Sequence, residues 1–229
     1  MENNPPLQRY ELTAPQPYIM KLKQLAIKIS KLAGFRNPKI DLEQYTTHGD
    51  IVARWILSAV EFGDLGPGSR VIDLGCGTGV LGLAALMCGG SSAIMVDIDD
   101  QAIETMTENA KSLGLDGMIV PICKDIRALP DFEGEVILCN PPWGKQKLGA
   151  DSDFIQTIKD LALPSYVLHS SGAKHLENEF HNAGWRAEKV FTMPFELSAT
   201  YPHHTRRRMT TEATLWRLIP PQAMVPHRS

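Results

Sequence analysis

The apolar positions of the chain follow two different spacings. Over 18–33 and 51–60 they recur every three or four residues, which predicts two amphipathic helices, the second capped by Thr47 or Asp50 and running to about Gly63. After these helices, short apolar runs predict strands at 70–75, 93–96, 118–123, 136–139, 166–169, 185–191 and 211–218. Helical patterns between the runs lie at 80–88, 101–112, 153–161 and 173–183. This strand–helix alternation predicts an α/β fold, with a parallel sheet covered by helices on both faces.

The fourth predicted strand ends abruptly at Asn140, Pro141, Pro142 and Trp143. Prolines cannot donate to a sheet ladder, so the backbone must leave the sheet as a stiff, extended loop. Asn140 then lies at the carboxyl end of a central strand, where open α/β sheets bind ligands. A carboxamide, proline carbonyls and an aromatic ring suit a planar group that carries an NH2. Asn-Pro alone is also a common turn signal, so this segment by itself leaves both interpretations open.

A glycine-rich loop follows the first predicted strand. Gly75, Gly77 and Gly79 lie between that strand and a helix, where they allow a tight turn and close approach of a ligand to the backbone. Dinucleotide sites use a related loop, so the glycines do not by themselves identify the ligand. Asp73, just before them, predicts contact with an amino-acid ammonium group rather than with a pyrophosphate.

Acidic residues also follow the next two predicted strands. Asp97 has about the sequence offset expected of a carboxylate that accepts from ribose hydroxyls, and Asp125 would accept from an adenine amino group. Ile98 and Ile126 would form apolar walls. Each acid could instead cap a helix or occupy a turn, but with Asp73 they predict convergence on one rim.

Composition narrows the class of protein. The 229 residues suffice for one sizeable domain with short appendages, and the fractions of 43% hydrophobic and 21% charged residues are typical of a soluble globular protein. We find no apolar stretch near the roughly 20 residues of a membrane span and no signal peptide. The absence of both predicts a cytoplasmic location without membrane association. The four cysteines form no C-x-x-C pair, which predicts reduced thiols and no metal site.

The net charge of −3 argues against wholesale coating of nucleic acid. Basic residues nevertheless cluster near the N-terminus and at Arg206, Arg207 and Arg208. These clusters would form a phosphate-binding footprint if they shared one face, although solvated surface charge is an equally good interpretation.

Three motifs together resemble a known family. D-L-G-C-G-T-G (73–79) and N-P-P-W (140–143) look like the class I S-adenosylmethionine-dependent methyltransferases, from about Asp41 to Leu218, and the second motif is typical of enzymes that methylate amino or amide nitrogens. E-Q-Y-T-T (43–47) resembles the archaeal and eukaryotic small-subunit ribosomal RNA N6-adenine methyltransferases. Further similar positions are Phe35, Pro38, Leu42, Pro194, Ser198, Ala199, Tyr201 and His204.

The resemblance implies a Rossmann-like fold, with a mostly parallel seven-stranded sheet, an antiparallel last strand and an N-terminal helical extension. Because the resemblance covers about Asp41 to Leu218, we expect a methyltransferase domain at 41–219. The residue pattern of the two ends predicts an arm and helix at 1–40 and a flexible, proline-rich tail at 220–229. The implied cofactor is S-adenosylmethionine, with S-adenosylhomocysteine as its product, and the implied substrate is the N6 of an adenine in RNA.

The same resemblance assigns roles to individual residues. Gln44, Tyr45 and Thr47 would close over the cofactor, with Gly75 and Gly77 against its methionine part. Asn140, Pro141, Pro142 and Trp143 would hold the target base, although the family usually has phenylalanine at the last position. Arg206–Arg208 would hold RNA phosphates. Family members often work with a small zinc-binding activator protein that covers a sheet edge, for which the candidate residues are Met118, Ile119, Val120 and Ile122.

Three alternatives remain open from the sequence. The same asparagine–proline chemistry serves glutamine amide methyltransferases that act on release factors, although these usually carry a larger helical N-terminal domain. Adenine in DNA would suit the core motifs equally well. A non-catalytic scaffold that keeps the cofactor fold is disfavoured by the intact N-P-P-W motif.

Overall fold

The computed structural model describes residues 20–131, 133–197 and 209–221. Six α-helices and seven strands lie in these ranges. In chain order they are α1 Leu22–Ile29, α2 Gly49–Glu61, β1 Arg70–Leu74, α3 Val80–Met87, β2 Ser92–Asp97, α4 Asp100–Leu113, β3 Ile119–Cys123, β4 Val136–Cys139, α5 Ser152–Leu161, β5 Ser165–Ser170, α6 Lys174–Asn182, β6 Arg186–Leu197 and β7 Met209–Ile219. Among the described residues, no helix is both long enough and apolar enough to cross a bilayer.

The strands form one seven-stranded sheet in the order β3-β2-β1-β4-β5-β7-β6. Strands β1 to β5 pair in parallel, and β7 runs antiparallel to both of its neighbours. The predicted fold is therefore confirmed. The strand order reverses between β1 and β4, and ligands bind at such a switch point in open α/β sheets.

Helices cover both faces of the sheet. Val71 and Leu138 face one apolar layer with α1, α2 and α3, whereas Ile72 and Ile137 face a second layer with α5 and α6. Successive strand residues point to opposite faces, so a central strand buried on both sides is apolar throughout, as in β4.

The two N-terminal helices pack closely on each other. A Cβ at Gly49 would lie 2.3 Å from Ser30 Oγ and 2.5 Å from the Ala26 carbonyl oxygen, so only glycine permits this approach. Helix α2 begins here with His48 as its N-cap and without a side-chain hydrogen bond, so the predicted cap at Thr47 or Asp50 was wrong. Leu25 and Ile29 of α1 are buried in the core. The predicted division of the chain at residues 40 and 219 stays a prediction.

Strand β6 is longer than predicted, since it continues to Leu197 instead of ending at Phe191. It contains Pro194, which cannot donate to a ladder. The proline is tolerated because β6 lies at the edge of the sheet and, among the described residues, pairs only with β7. A bulge between Lys189 and Phe191 shifts the register midway.

Candidate active site

A cavity of about 530 Å³ opens at the carboxyl ends of β1, β2 and β4. Its wall comprises the glycine loop after β1, the segment 41–47, the turn 124–127 after β3 and the loop after β4. The volume falls within the roughly 300–1,000 Å³ of small-molecule and cofactor sites. The switch point of the sheet thus coincides with the predicted site.

The glycine loop adopts the backbone conformation that its sequence predicts. Gly75, Gly77 and Gly79 have φ values of +70°, +52° and +86°, in the left-handed region that favours glycine. Gly75 and Gly77 line the cavity. Gly79 does not, because it packs on α4, where a Cβ would lie 2.5 Å from Met106 Cγ. Its role is in helix packing.

Asp73 is fully buried and is not among the residues that line the cavity. One carboxylate oxygen accepts from the Gly82 backbone N–H at 2.8 Å, and the other has no partner within the described residues. Burial raises the pKa of Asp73 to about 7. Contact with an ammonium group stays a prediction for this residue.

Asp97 lies on the cavity wall at the end of β2. Its two carboxylate oxygens accept from the backbone N–H groups of Gly77, at 2.8 Å, and Asp99, at 2.9 Å. Burial raises the pKa of Asp97 despite these bonds. A carboxylate can accept about four hydrogen bonds, so Asp97 retains capacity for ribose hydroxyls. Ile98, beside it, is exposed and also lines the cavity.

Asp125 lines the cavity beyond β3 together with Ile126. Its carboxylate is bound by Arg127, whose backbone N–H and Nε each donate to Oδ1 at 2.9 Å. This arginine lowers the pKa of Asp125 to about 2. An adenine amino group would therefore share the carboxylate with Arg127, which was not predicted as part of the site.

The carboxamide of Asn140 has a defined orientation. Its Nδ2 donates to Thr47 Oγ1 at 3.1 Å, and its Oδ1 accepts from Trp143 Nε1 at 3.3 Å. An indole nitrogen can only donate, so the atom that faces it must be the amide oxygen. Asn140, Pro141, Pro142 and Trp143 all line the cavity, and their contact with a target base stays a prediction.

Trp143 is held on several sides. Its Nε1 also donates to the Leu168 carbonyl oxygen at 3.3 Å. The ring stacks on His169, with centroids 5.9 Å apart and an interplanar angle of 22°, and it tilts against Phe195 at 4.9 Å. A phenylalanine at this position would lack both indole hydrogen bonds.

Glu43 connects the segment 41–47 to the loop after β4. This buried side chain accepts from the Trp143 backbone N–H at 2.7 Å and from the Gln146 backbone N–H at 2.8 Å. Its φ of +49° is unusual for a residue other than glycine. Glu43 belongs to the motif E-Q-Y-T-T (43–47), but no role was predicted for it; an acid in a motif otherwise assigned to cofactor binding could have indicated one.

Gln44 anchors the same segment. Its Oε1 accepts from the Lys39 backbone N–H and its Nε2 donates to Asp99 Oδ2, both at 2.7 Å. Lys39 Nζ in turn donates to Asp99 Oδ1 at 2.7 Å. The Gln44 amide is thus used within the protein, while Gln44, Tyr45 and Thr47 all line the cavity. Neither Asp99 nor Lys39 was predicted as a site residue.

Exposed basic side chains lie on the rim of the cavity, at Lys124, Arg127 and Lys147. The predicted RNA contacts Arg206, Arg207 and Arg208 lie outside the described residues, so their role stays a prediction.

Comparisons with known proteins identify the family. The family described as "Methyltransferase small domain" matches residues 47–173, more than half of the chain. The chain belongs to the methyltransferase small domain family.

Relatives with names and a solved structure agree with this family. The chain is 32% identical to the rRNA N(6)-adenosine-methyltransferase metl-5 of Caenorhabditis elegans, over 78% of this chain and 88% of that protein. It is 28% identical to METTL5 of Danio rerio, which carries the same description, over 88% of this chain and 100% of the relative. A crystal structure from Pyrococcus horikoshii, described as a candidate RNA methyltransferase, matches with a TM-score of 0.79 and 28% identity, covering 88% of this chain and 98% of that one. This methyltransferase family member is therefore similar to RNA-modifying relatives over most of its length.

Proposed function

We propose that this methyltransferase transfers a methyl group from S-adenosylmethionine to the exocyclic N6 of an adenine in RNA, and that small-subunit ribosomal RNA is the substrate. One observation carries the proposal. The Asn140 carboxamide oxygen is oriented by Thr47 and Trp143 at the wall of a cavity that the glycine loop and Asp97 also line. An acceptor in this place suits an aromatic NH2 group.

The residues around the cavity fit the proposed cofactor. Gly77 leaves no space for a side chain, since a Cβ would lie 2.7 Å from the ring of Phe35, another wall residue. Asp97 and Asp125 supply acceptors for ribose hydroxyls and an adenine amino group, and Ile98 and Ile126 supply apolar surface. One oxygen of the buried Asp73 carboxylate has no hydrogen-bond partner among the described residues, which is compatible with a nearby cation. S-adenosylmethionine supplies an already activated methyl group, so the protein mainly has to align the acceptor nitrogen.

The loop after β4 would perform that alignment. Asn140 Oδ1 has two lone pairs, one of which is used by Trp143, so the second can accept from the adenine NH2. The Pro141 carbonyl can accept from the other hydrogen. Both bonds strengthen as positive charge develops on the nitrogen, which is the condition for lowering the barrier. Stacking of the base on an aromatic side chain such as Trp143 contributes about 1–3 kcal/mol.

RNA is favoured over the two alternative substrates. The relatives described above are named for ribosomal RNA adenosine, whereas a release-factor glutamine or a DNA adenine has no such support. Lys124, Arg127 and Lys147 at the rim suit the phosphates that flank an unstacked adenine. The proposal extends to Arg206–Arg208 as further phosphate contacts.

A partner and a location belong to the same proposal. Strand β3 is an edge of the sheet, and its Val120 is 49% exposed, so an activator protein could add a strand there. The four cysteines are all free thiols, which suits the reducing cytoplasm.

The test is methyl transfer from labelled S-adenosylmethionine to separate pools of ribosomal RNA, DNA and protein. We expect label in small-subunit ribosomal RNA as N6-methyladenosine, and at least about 100-fold less label there with Asn140→Ala. Label on protein glutamine or on DNA alone would contradict the proposal.

A further inference from the structure

A cluster of three side chains lies behind Trp143, outside the cavity wall. Asp151 Oδ2 accepts from His169 Nε2 at 3.2 Å and from His175 Nε2 at 2.6 Å. Asp151 and His169 are buried, whereas His175 is half exposed. The three residues come from the loop before α5, from β5 and from α6, so the cluster ties the loop after β4 to two other elements.

The side chain of Asp151 does not cap the helix that follows it. Asp151 is the N-cap residue of α5, yet it makes no capping hydrogen bond and turns to the histidines. Burial opposes its ionisation, but hydrogen bonds from His169 and His175 outweigh this and lower the pKa of Asp151 to about 2. A stable carboxylate therefore lies beneath the loop.

The geometry determines the tautomer of His169. Both Nε2 atoms that face the carboxylate carry protons, since an ionised carboxylate only accepts. With Nε2 protonated, a neutral His169 can accept at Nδ1 from Ser170 Oγ, 3.2 Å away. Both ring nitrogens then have partners, so the plane of this buried ring is fixed.

Contacts continue from His169 to the amide that faces the cavity. The His169 ring stacks on the Trp143 indole, and the Trp143 Nε1 donates to Asn140 Oδ1. We propose that Asp151, His169 and His175 are positioning residues for methyl transfer, which fix the plane of the Trp143 indole and thereby the direction of the Asn140 carboxamide oxygen. Only the kinetic tests of this inference rest on the proposed function, because they measure methyl transfer.

The distances favour hydrogen bonds over a metal centre. The three ligand atoms lie within 4.8 Å of one another, close enough for a shared ion. Two ligands of one zinc ion, each about 2.0–2.2 Å from it, would however lie roughly 3.2–3.5 Å apart. The 2.6 Å between Asp151 Oδ2 and His175 Nε2 is shorter than that separation and is a hydrogen-bond distance, which an ionised acceptor shortens.

The kinetic test is a double-mutant cycle between Asp151→Ala and Trp143→Phe in the full chain. We expect Asp151→Ala to lower kcat about 10- to 100-fold, because small misplacements of reacting groups have effects of this size, with the Kd for S-adenosylmethionine unchanged within about twofold. In the Trp143→Phe background, which lacks the indole N–H, the same substitution should have a much smaller effect. Additive losses would overturn the proposal.

Two further variants separate positioning from simple loss of folding. Asp151→Asn keeps an acceptor oxygen and should recover most of the lost kcat, while equal loss in both variants would count against the hydrogen-bond role. His175→Ala should lower kcat, whereas His181→Ala, on the same helix and without contact to Asp151, should not. Equal effects of the two histidine variants would contradict the proposal.

A spectroscopic readout does not depend on methyl transfer. The chain has four tryptophans, so its ¹H–¹⁵N spectrum should contain four indole signals, and Trp143→Phe identifies one of them. We expect Asp151→Ala and His175→Ala to shift or broaden that signal and His181→Ala to leave it unchanged. An unchanged Trp143 signal in Asp151→Ala would refute the inference even if the enzyme methylates RNA.

If instead the wild type methylates none of the pools, the proposed function fails and this spectrum still decides the inference. Loss of activity in EDTA with recovery in Zn²⁺ would identify a metal centre and overturn it.

Discussion

Replacement of Glu43 tests how the segment 41–47 holds the loop that carries Asn140. Glu43→Ala removes both hydrogen bonds to the backbone N–H groups of Trp143 and Gln146. A hydrogen bond to a charged group contributes about 1.5–3 kcal/mol, so two would contribute about 3–6 kcal/mol. Gln146 is exposed and can bind water instead. We therefore expect the lower value, about 3 kcal/mol, which corresponds to a Tm decrease of about 6–12 °C for a chain of this size.

A second substitution at the same position separates the effect of the two Glu43 hydrogen bonds from the effect of the backbone conformation. Glu43 has a φ of +49°, where a residue with a Cβ is less stable than glycine by about 1 kcal/mol. Glu43→Gly should therefore be less stable than the wild type but about 1 kcal/mol more stable than Glu43→Ala. Glu61→Ala removes an exposed acid at the end of α2 and should change stability by less than about 0.5 kcal/mol.

The measurements are thermal unfolding by circular dichroism and kcat for methyl transfer. In both Glu43 variants we expect kcat to fall about 10- to 100-fold, because the backbone of Trp143 loses its anchor. A Glu43→Ala protein with wild-type Tm and kcat would show that the two Glu43 hydrogen bonds contribute neither to stability nor to methyl transfer. Glu43→Ala at least as stable as Glu43→Gly would refute the conformational argument.

Three further changes have defined outcomes. Asn140→Ala should lower methyl transfer at least about 100-fold, since it removes a hydrogen bond that strengthens in the transition state, while calorimetry finds nearly unchanged affinity for S-adenosylmethionine; parallel loss of both would contradict that division of roles. Burial raises the pKa of Asp73 from 3.8 in the unfolded chain to about 7 in the folded protein, so the folded state holds the proton more tightly. The wild type should therefore lose stability as the pH rises from about 4 to about 7. In urea titrations, Asp73→Asn should lose less unfolding free energy than the wild type over the same rise in pH. Parallel plots of stability against pH for the two proteins would contradict the raised pKa. Replacement of Arg206–Arg208 by alanine should weaken RNA binding and flatten its dependence on salt, and an identical slope would place these arginines elsewhere.

The order of strands and helices was predictable because it depends on local pattern. The apolar run 136–139 and the following prolines define the end of β4 without reference to the rest of the chain. The carboxyl ends of parallel strands share one edge of a sheet, so Asp97, Asp125 and Asn140 could be expected together, and all three line the cavity. Predictions were wrong or incomplete where a neighbour distant in sequence intervened, as at the start of α2 beside Ser30 and along β6 at the sheet edge.

The sequence alone determined the fold class and the chemical types of residue at the strand ends, since hydrophobic period and strand ends are local properties, whereas the switch point followed only from the strand order of the folded sheet. Only the tertiary structure decided which atoms meet there. Glu43 binds Trp143 across 100 positions, and Thr47 orients Asn140 across 93. Asp151, His169 and His175 converge from three elements. Hydrogen bonds require donors and acceptors to approach within about 3 Å, and that approach depends on packing and register throughout the chain.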